Sequence, residues 1–348
     1  MFSLTRKKSN RVKNVWSGAM ADHVIALGWN ADGHYLAAAS STGPMTIFDA
    51  KAGSGDIALA GHGGGTLALG WSPKADVLAT AGKDGRVRLW NATGRPMATL
   101  EMASLWAEHL AWKPDGSQFA ASSGRTVHVW DAAGNHLADL TDHPSTVSDL
   151  AWKPNSNTLA SLVYGGVMLW TLHPDKAPGF KLFPWKGSPL KMAWSPNASM
   201  LAHGNQDSTV HFWYAETAEE LQMWGYPRKI RELSWNVSSR YLATGGGPAV
   251  CIWDCGSGGP QGTKPQMLEG HDEESSLTAV LFQHHGHLLA SASTDGRVCV
   301  WQPQNAKQPL VGEVEGDGSE ATSLAWSRDD RLLAVGYESG AISVLAVS

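Results

Sequence analysis

Apolar and polar positions along this chain follow a pattern that recurs eight times. In each unit a Trp or Phe ends one apolar segment, and a Leu or Phe seven residues later opens a second segment. A third apolar segment ends in another large apolar residue, 18 or 19 residues after the first aromatic anchor. The first anchors, spaced 40 to 47 residues apart, are Trp29, Trp71, Trp112, Trp152, Trp194, Trp235, Phe282 and Trp326. A repeat of this period predicts stacked or ring-closed structural units.

The second unit shows which element each apolar segment predicts. Apolar and polar residues alternate over residues 86–90, which indicates a β-strand because successive side chains of a strand point to opposite faces. Asp84 and Gly85 precede this segment and supply the positive φ angles that a tight hairpin needs. Each unit is therefore predicted to contain strands a, b and c, followed by a fourth strand d, which here covers residues 96–100.

The last unit ends directly after its strand c, so only seven d strands follow in sequence. Residues 11–16 belong to no unit and could pair with residues 342–347 as the eighth d strand. This pairing would latch the two ends of the chain together and cover an open sheet edge. Residues 1–10 are expected to form a basic mobile tail, and residues 11–348 a single domain. We expect the longest irregular segments at 172–179 and 255–264.

Two units carry a further set of polar residues at matching positions. These are His62, Thr80, Asp84 and Trp90 in one unit, and His271, Ser291, Asp295 and Trp301 in the other. With these residues, the repeat resembles the tryptophan–aspartate (WD) repeat that builds β-propellers, over residues 11–348. The resemblance implies that each set forms a hydrogen-bonded chain from strand c, through strand b, to the loop between blades. The fourth unit lacks the Asp, and the fifth has His203 in place of the hydroxyl residue.

Eight units then predict an all-β fold: an eight-bladed β-propeller of four-stranded antiparallel blades, closed by the N-terminal strand completing the last blade. Seven blades are commoner in the family. A seven-bladed ring would, however, leave one apolar three-stranded sheet unpaired, so eight blades are favoured.

Charge and cysteine content narrow the classes of function. The net charge of −5 argues against a general nucleic-acid binder, which needs a concentrated basic field. Cys251, Cys255 and Cys299 are too few for a disulfide framework. The strand positions of Cys251 and Cys299 predict buried thiols in a reducing compartment. No apolar stretch has the length of a membrane helix. We expect a cytoplasmic protein that is monomeric by itself, uses no cofactor and contacts neither nucleic acid nor membrane.

Histidines offer an alternative function in metal handling. His284, His285 and His287 share the predicted a–b turn of the seventh unit, where clustered imidazoles could hold zinc. No Cys or acidic ligand accompanies them at a recognisable spacing, so a solvated turn is the favoured interpretation. A second alternative is an enzyme with a site in the central channel, although no nucleophile elbow or HExxH motif occurs. Clustered ionisable residues at the channel mouth would favour it.

Aromatic residues outside the repeat anchors predict a binding surface. Trp106, Trp185, Trp224 and Tyr226 lie in or beside the d–a connections, which share one rim of a propeller with the b–c turns. Trp106 and Tyr226 are expected to be the more exposed. Charged residues accompany them on the same predicted rim, and they are Lys186, Arg228 and Asp272.

Aromatic side chains beside Arg often form the energetic centre of a protein interface. The favoured function is therefore a non-enzymatic scaffold that presents its rim to a protein or peptide in a multiprotein assembly. The competing interpretation is that each aromatic ring fills a gap between blades.

Overall fold

A computed structural model describes residues 10–51, 53, 56–102, 106–256 and 259–348 of the chain. The predicted basic tail lies outside the described residues, apart from Asn10. The described residues form 32 β-strands, which pair into eight four-stranded antiparallel sheets. None of the described segments is a helix of the length and apolarity that crossing a membrane requires.

The strands appear in the order a, b, c, d within blades 1 to 7, and the leading strand β1 (Val12–Ala19) stands outside this order. Blades 1 and 2 contain β2 (Val24–Trp29), β3 (Tyr35–Ser40), β4 (Met45–Asp49), β5 (Ile57–Leu59), β6 (Thr66–Trp71), β7 (Val77–Gly82), β8 (Arg86–Asn91) and β9 (Pro96–Glu101). Blades 3 and 4 contain β10 (His109–Trp112), β11 (Gln118–Ser123), β12 (Thr126–Asp131), β13 (His136–Leu140), β14 (Val147–Trp152), β15 (Thr158–Val163), β16 (Gly165–His173) and β17 (Lys176–Trp185).

The remaining blades repeat the same arrangement. Blades 5 and 6 contain β18 (Pro189–Trp194), β19 (Met200–Asn205), β20 (Val210–Tyr214), β21 (Glu220–Met223), β22 (Leu233–Trp235), β23 (Tyr241–Thr244), β24 (Val250–Asp254) and β25 (Gln266–Leu268). Blades 7 and 8 contain β26 (Leu277–Phe282), β27 (Leu289–Ser293), β28 (Val298–Trp301), β29 (Leu310–Val314), β30 (Ala321–Trp326), β31 (Leu332–Tyr337) and β32 (Ala341–Val347).

The eight blades close into a ring around their a strands. Each a strand contacts the a strand of the next blade, and β2 of the first blade contacts β30 of the last. Six of the first-anchor tryptophans reinforce the ring by donating their indole N–H to a carbonyl oxygen of the preceding a strand. Trp29 makes this bond to the Ala325 oxygen at 2.9 Å, and so joins the first blade to the last.

The leading strand completes blade 8, as the sequence predicts. β1 pairs antiparallel with β32, from Val12 opposite Val347 to Ala19 opposite Ala341. Val12 is buried, and the Trp16 indole N–H donates to the carbonyl oxygen of a residue in blade 1 at 2.9 Å. The all-β, eight-bladed fold and its closure by the N-terminal strand are therefore confirmed.

One predicted connection has a different structure. Residues 172–179 were expected to be irregular, but β16 and β17 continue through most of them, with His173 paired to Lys176. Pro174 and Asp175 form the short turn between the two strands, and both residue types favour turns. Cys251 and Cys299 are buried free thiols, as expected, and Cys255 is buried as well.

Candidate partner-binding face

One face of the ring carries the connections from strand d to the next strand a and from strand b to strand c, and we call it the top face. The antiparallel order of the strands places the a–b and c–d connections on the opposite face. The predicted binding residues lie in or beside d–a connections on the top face, between blades 2 and 7. They are Trp106, Trp185, Lys186, Trp224, Tyr226, Arg228 and Asp272.

Blade 2 contains the polar chain that the resemblance implies. The Trp90 indole donates to the Thr80 hydroxyl at 3.1 Å, and His62 Nε2 lies 3.0 Å from the same oxygen. His62 Nδ1 lies 2.8 Å from an Asp84 carboxylate oxygen. Burial lowers the pKa of His62, against the opposing effect of Asp84, which favours the charged ring. The chain ties the d–a connection to strands b and c.

Blade 7 has the same arrangement with a longer last contact. The Trp301 indole and His271 Nε2 each lie 2.8 Å from the Ser291 hydroxyl oxygen. His271 Nδ1 lies 3.3 Å from the nearer Asp295 oxygen. Burial lowers the pKa of His271 as well.

Blade 4 forms a chain without an aspartate. The Trp170 indole donates to Ser161 Oγ at 3.1 Å, and His143 Nε2 lies 2.8 Å from that oxygen. His143 Nδ1 lies 3.0 Å from the carbonyl oxygen of Arg125. A main-chain oxygen thus takes the place of the missing carboxylate.

Tyr226 belongs to such a chain in blade 6, and the expectation that it is exposed is wrong. Its side chain is 9% exposed. Its hydroxyl oxygen accepts the Trp253 indole N–H at 2.7 Å and lies 2.8 Å from the Thr244 hydroxyl. Tyr226 precedes Thr244 by 18 residues, the same separation as between His62 and Thr80. Tyr226 therefore occupies the place that His holds in the other chains.

Trp185 occupies the corresponding place in blade 5, where the chain is broken. The half-buried Trp185 ring lies 5.2 Å from the ring of His203 and 5.1 Å from that of His211. His203 replaces the hydroxyl residue, and burial lowers the pKa of His203 to about 3. His203 Nε2 and Trp213 Nε1 are buried without a hydrogen-bond partner in the described part of the chain. Trp185 mainly packs this blade, in line with the competing interpretation.

Three aromatic side chains of the top face remain exposed. Trp106 is 52% exposed and Trp224 is 76% exposed. Tyr164, in the b–c turn of blade 4, is 54% exposed and was not singled out from the sequence. Trp106 lies on the connection between blades 2 and 3, Tyr164 on blade 4 and Trp224 on the connection between blades 5 and 6, so they define one sector of the top face.

The connection that carries Trp224 is held firmly at its centre. Tyr226 and Ile230 are buried within it. The backbone N–H of Ile230 donates to the Asn205 oxygen of blade 5 at 3.1 Å, while that of Arg228 donates to the Gly246 oxygen of blade 6 at 3.0 Å. Pro227, Arg228 and Lys229, between Tyr226 and Ile230, are thus presented from a fixed backbone, and Trp224 stands between the buried Met223 and Tyr226.

The charged residues predicted for the rim are all exposed. Arg228 donates to the carbonyl oxygen of Glu274 at 3.2 Å and also bonds the Ser276 hydroxyl, which ties it to the next d–a connection. Asp272 lies 3.7 Å from the Arg297 guanidinium, in a largely solvated pair. Lys186 follows Trp185 at the end of β17.

A group of ionisable residues at the inner edge of blades 3 to 6 was missed in the sequence analysis. Its members are His109, Asp149, Lys191, Arg231 and Glu232. Lys191 Nζ lies 2.8 Å from one oxygen of the buried Asp149 carboxylate, whose other oxygen accepts a backbone N–H of β18 at 2.9 Å. Burial lowers the pKa of His109; Asp149 opposes this effect, and Lys191 and Arg231 add to it. Burial also raises the pKa of Glu232.

A sequence signal for this group existed. Four of its members stand three residues before the first anchor of units 3 to 6, where units 1, 2 and 7 have Ala and unit 8 has Ser. Because strand a begins at the top face, these side chains lie near the upper opening of the channel.

The histidine turn of blade 7 does not bring its three rings together as a metal site. Backbone N–H groups of His284 and His285 each donate to the Asp330 carboxylate at 2.7 Å, so the acidic partner caps the turn. His287 is exposed in the same turn. Among the described residues, three potential metal ligands do lie close together, but on blade 3.

That group consists of His128, His136 and Asp139 on strands c and d. His128 Nδ1 and His136 Nε2 each lie 2.6 Å from the same Asp139 oxygen. These are hydrogen-bond distances, whereas two ligands on one zinc ion lie about 3.3 Å apart when each bond is about 2.0 Å. His128 Nε2 is buried without a partner in the described residues, whereas a metal-bound imidazole usually donates its second N–H. The arrangement is explained by a carboxylate that accepts two hydrogen bonds.

Comparison with protein families finds a known repeat in parts of the chain. The WD domain, G-beta repeat, matches residues 57–91, 94–131, 134–171 and 262–302. These matches show WD repeats in four stretches of a chain that folds as an eight-bladed β-propeller.

Similar proteins share the repeat at low identity. The WD repeat-containing protein slp1 of Schizosaccharomyces pombe is 23% identical over 83% of this chain and 52% of its own length. The anaphase-promoting complex subunit cdc20 of Dictyostelium discoideum is 22% identical over 87% of this chain and 54% of its own length. The chain thus spans about half the length of these two relatives.

Solved structures support the fold. The computationally designed Ika8 protein superimposes with a TM-score of 0.80 at 22% identity, covering 96% of this chain and 100% of that protein. The C-terminal WD40 domain of Sif2 gives a TM-score of 0.78 at 18% identity, covering 97% and 98%. At these identities the likeness concerns the fold alone.

Proposed function

We propose that this propeller is a non-enzymatic scaffold that binds a protein or peptide partner on the top face of blades 3 to 6, within a multiprotein assembly. The observation that carries the proposal is the exposure of Trp106 and Trp224, 52% and 76%, on one face. Large aromatic side chains are enriched at interfaces because they bury much apolar area at little cost in side-chain entropy. The buried free thiols agree with a cytoplasmic location, and we treat the chain as monomeric by itself.

Rigid presentation supports this proposal. A binding loop that is ordered before the partner arrives loses less conformational entropy on association. The buried Tyr226 and Ile230 hold the connection from blade 5 to blade 6 in place, and Trp224 projects from its start. Similarity to a protein named as a subunit of the anaphase-promoting complex agrees with a role inside an assembly.

An enzyme is the weaker candidate, although ionisable residues do cluster at the channel mouth. The buried Asp149 is already engaged by Lys191 and by a backbone N–H. Burial raises the pKa of Cys251 to about 11 and those of Cys255 and Cys299 to about 12, so these thiols stay protonated near neutral pH. The proposal therefore assigns the inner group to binding rather than to catalysis.

The test is partner capture by a folded variant. Trp106→Ala combined with Trp224→Ala should abolish cross-linking of the partner from native lysate, read by mass spectrometry, with the melting temperature almost unchanged. Met97→Ala combined with Met267→Ala is the matched control, because these comparably exposed apolar residues lie on outer strands. Undiminished capture by the folded tryptophan variant would contradict the proposal.

A further inference from the structure

We propose that the partner contacts this propeller through an acidic segment containing one bulky apolar residue, and that a basic mouth on blades 5 and 6 binds it. The basic mouth consists of Lys186, Lys191, Arg228, Lys229 and Arg231. This inference rests on the proposed function and names the chemistry of the partner.

Topology concentrates these cations on the top face. Residues 186–232 contain five basic residues and five acidic ones, so the stretch is neutral in sequence. Glu216, Glu219 and Glu220 lie in or beside the c–d connection between β20 and β21, on the opposite face. Asp207 and Glu232 remain on the top face. The fold thus places five cations and two carboxylates of this stretch on one face of a chain whose net charge is −5.

The cations of the basic mouth are available to a ligand. All five are exposed. Lys191 is paired with Asp149 and still has a side chain that is 53% exposed. In the described part of the chain, the other four form no ion pair with a carboxylate, although Arg228 bonds a carbonyl oxygen and a hydroxyl. A carboxylate ligand could therefore bind these four cations without displacing an existing carboxylate partner.

The charges of the basic mouth reach into the channel opening. Burial lowers the pKa of the half-buried His109 on blade 3; Asp149 opposes this effect, and Lys191 and Arg231, two blades or more away along the ring, add to it. A concave opening with low-dielectric walls focuses such a potential and attracts a ligand of opposite charge. The charges of blades 5 and 6 thus act across the sector that carries the exposed aromatic residues.

Trp224, beside the basic mouth, would recognise the apolar residue of the partner segment. Trp224 directly follows the buried Met223 and precedes Arg228 by four residues. Trp224, 76% exposed, stands at the upper end of a groove of about 530 Å³ that runs along β21 to the c–d connection of blade 6. A bulky apolar side chain packed against the exposed Trp224 ring would place flanking carboxylates within reach of the basic mouth.

The inference is tested with synthetic peptides and charge-reversal variants. The probes are fluorescein-labelled ten-residue peptides with four Glu around one Leu, the same peptide with Gln for Glu, and a phosphoserine version of the Gln peptide. Binding is measured by fluorescence anisotropy. Lys229→Glu combined with Arg231→Glu reverses the mouth. Lys176→Glu combined with Lys307→Glu makes the same charge change on the opposite face, where both lysines are exposed.

We expect the Glu peptide to bind wild type and the control variant alike, and the Lys229/Arg231 variant about tenfold more weakly. Its affinity should also fall as salt rises from about 50 to about 200 mM, because exposed charges are screened. Equal binding of the Glu and Gln peptides, no binding of the Glu peptide below about 1 mM, or binding of the phosphoserine peptide alone would overturn the inference.

Partner capture separates this inference from the proposed function. Capture that is lost with the Trp106/Trp224 variant and also with the Lys229/Arg231 variant supports both. Capture that is lost only with the tryptophan variant supports the scaffold function and contradicts the inference that the partner segment is acidic. Capture that survives both sets of substitutions contradicts both.

Discussion

Removing β1 should destabilise the whole ring, because this strand joins the two ends of the chain. A deletion of residues 1–19 removes every contact that β1 makes to β32 and to blade 1. The seven registered positions of the β1–β32 ladder contribute roughly 7 kcal/mol at about 1 kcal/mol for each hydrogen bond. Burial of Val12, and of Trp16 with its indole bond, adds roughly 5 kcal/mol.

Ordering the strand opposes these contributions. Fixing the eight residues of β1 costs roughly 8 kcal/mol at about 1 kcal/mol per residue. The expected net loss in free energy of unfolding is therefore about 4 kcal/mol, a large part of the roughly 5 to 15 kcal/mol typical of a folded domain. For a chain of this size the melting temperature should fall by roughly 5 to 10 °C.

Differential scanning calorimetry of two deletions measures the effect. Deletion of residues 1–9 is the control, because it leaves β1 intact. A synthetic peptide of residues 10–19, added to the longer deletion, should restore part of the lost melting temperature if pairing with β32 is the cause. Identical melting of the two deletions would refute the closure argument.

Two further predictions concern the polar chains between blades. Tyr226→Phe removes the hydroxyl that bonds Trp253 and Thr244, and should lower the free energy of unfolding, measured in urea, by about 1 to 3 kcal/mol. The control Tyr164→Phe, at an exposed turn, should change this free energy little. Equal effects of the two substitutions would argue against a structural role for the Tyr226 hydroxyl. Burial lowers the pKa of His203 to about 3, below the value of 6.5 expected when unfolded, so its stabilising contribution is complete above about pH 6.5 and is lost as the pH falls toward 3. Between pH 7 and pH 5 wild type should thus lose about 2 kcal/mol more than His203→Gln, and parallel pH profiles of unfolding would count against this.

The architecture could be predicted because every blade buries the same kinds of residue at the same spacing. The Leu or Phe seven residues after each first anchor, such as Leu78 and Phe119, is fully buried between blades, so the repeat in sequence is a repeat in packing. The missing eighth d strand likewise pointed to β1, since an apolar sheet edge requires a partner.

The roles of individual aromatic residues were harder to predict. Tyr226 and Trp185 stand 18 residues before Thr244 and His203, at the separation found for His62 and Thr80, so the spacing carried the signal. The shared position was not recognised because the residue type differs. A Tyr hydroxyl can replace an imidazole only where it lies at hydrogen-bond distance from the strand-b residue, and the sequence does not give that distance.

Contacts that depend on the shape of the ring could not be predicted from spacing within one unit. Lys191 meets Asp149 because neighbouring a strands converge on the channel, and the two residues are 42 positions apart. Asp139 meets both His128 and His136 because β12 and β13 pair with an irregularity next to Trp130. These side-chain contacts follow from blade geometry and strand register.

The central claim, that a partner occupies the top face of blades 3 to 6, is tested most directly by hydrogen–deuterium exchange of the propeller with and without its cross-linked partner. The account predicts slower exchange on complex formation at residues 106–108, 164–166, 186–188 and 224–232, with the c–d connections unchanged. Protection confined to the c–d connections or to the outer d strands would contradict it.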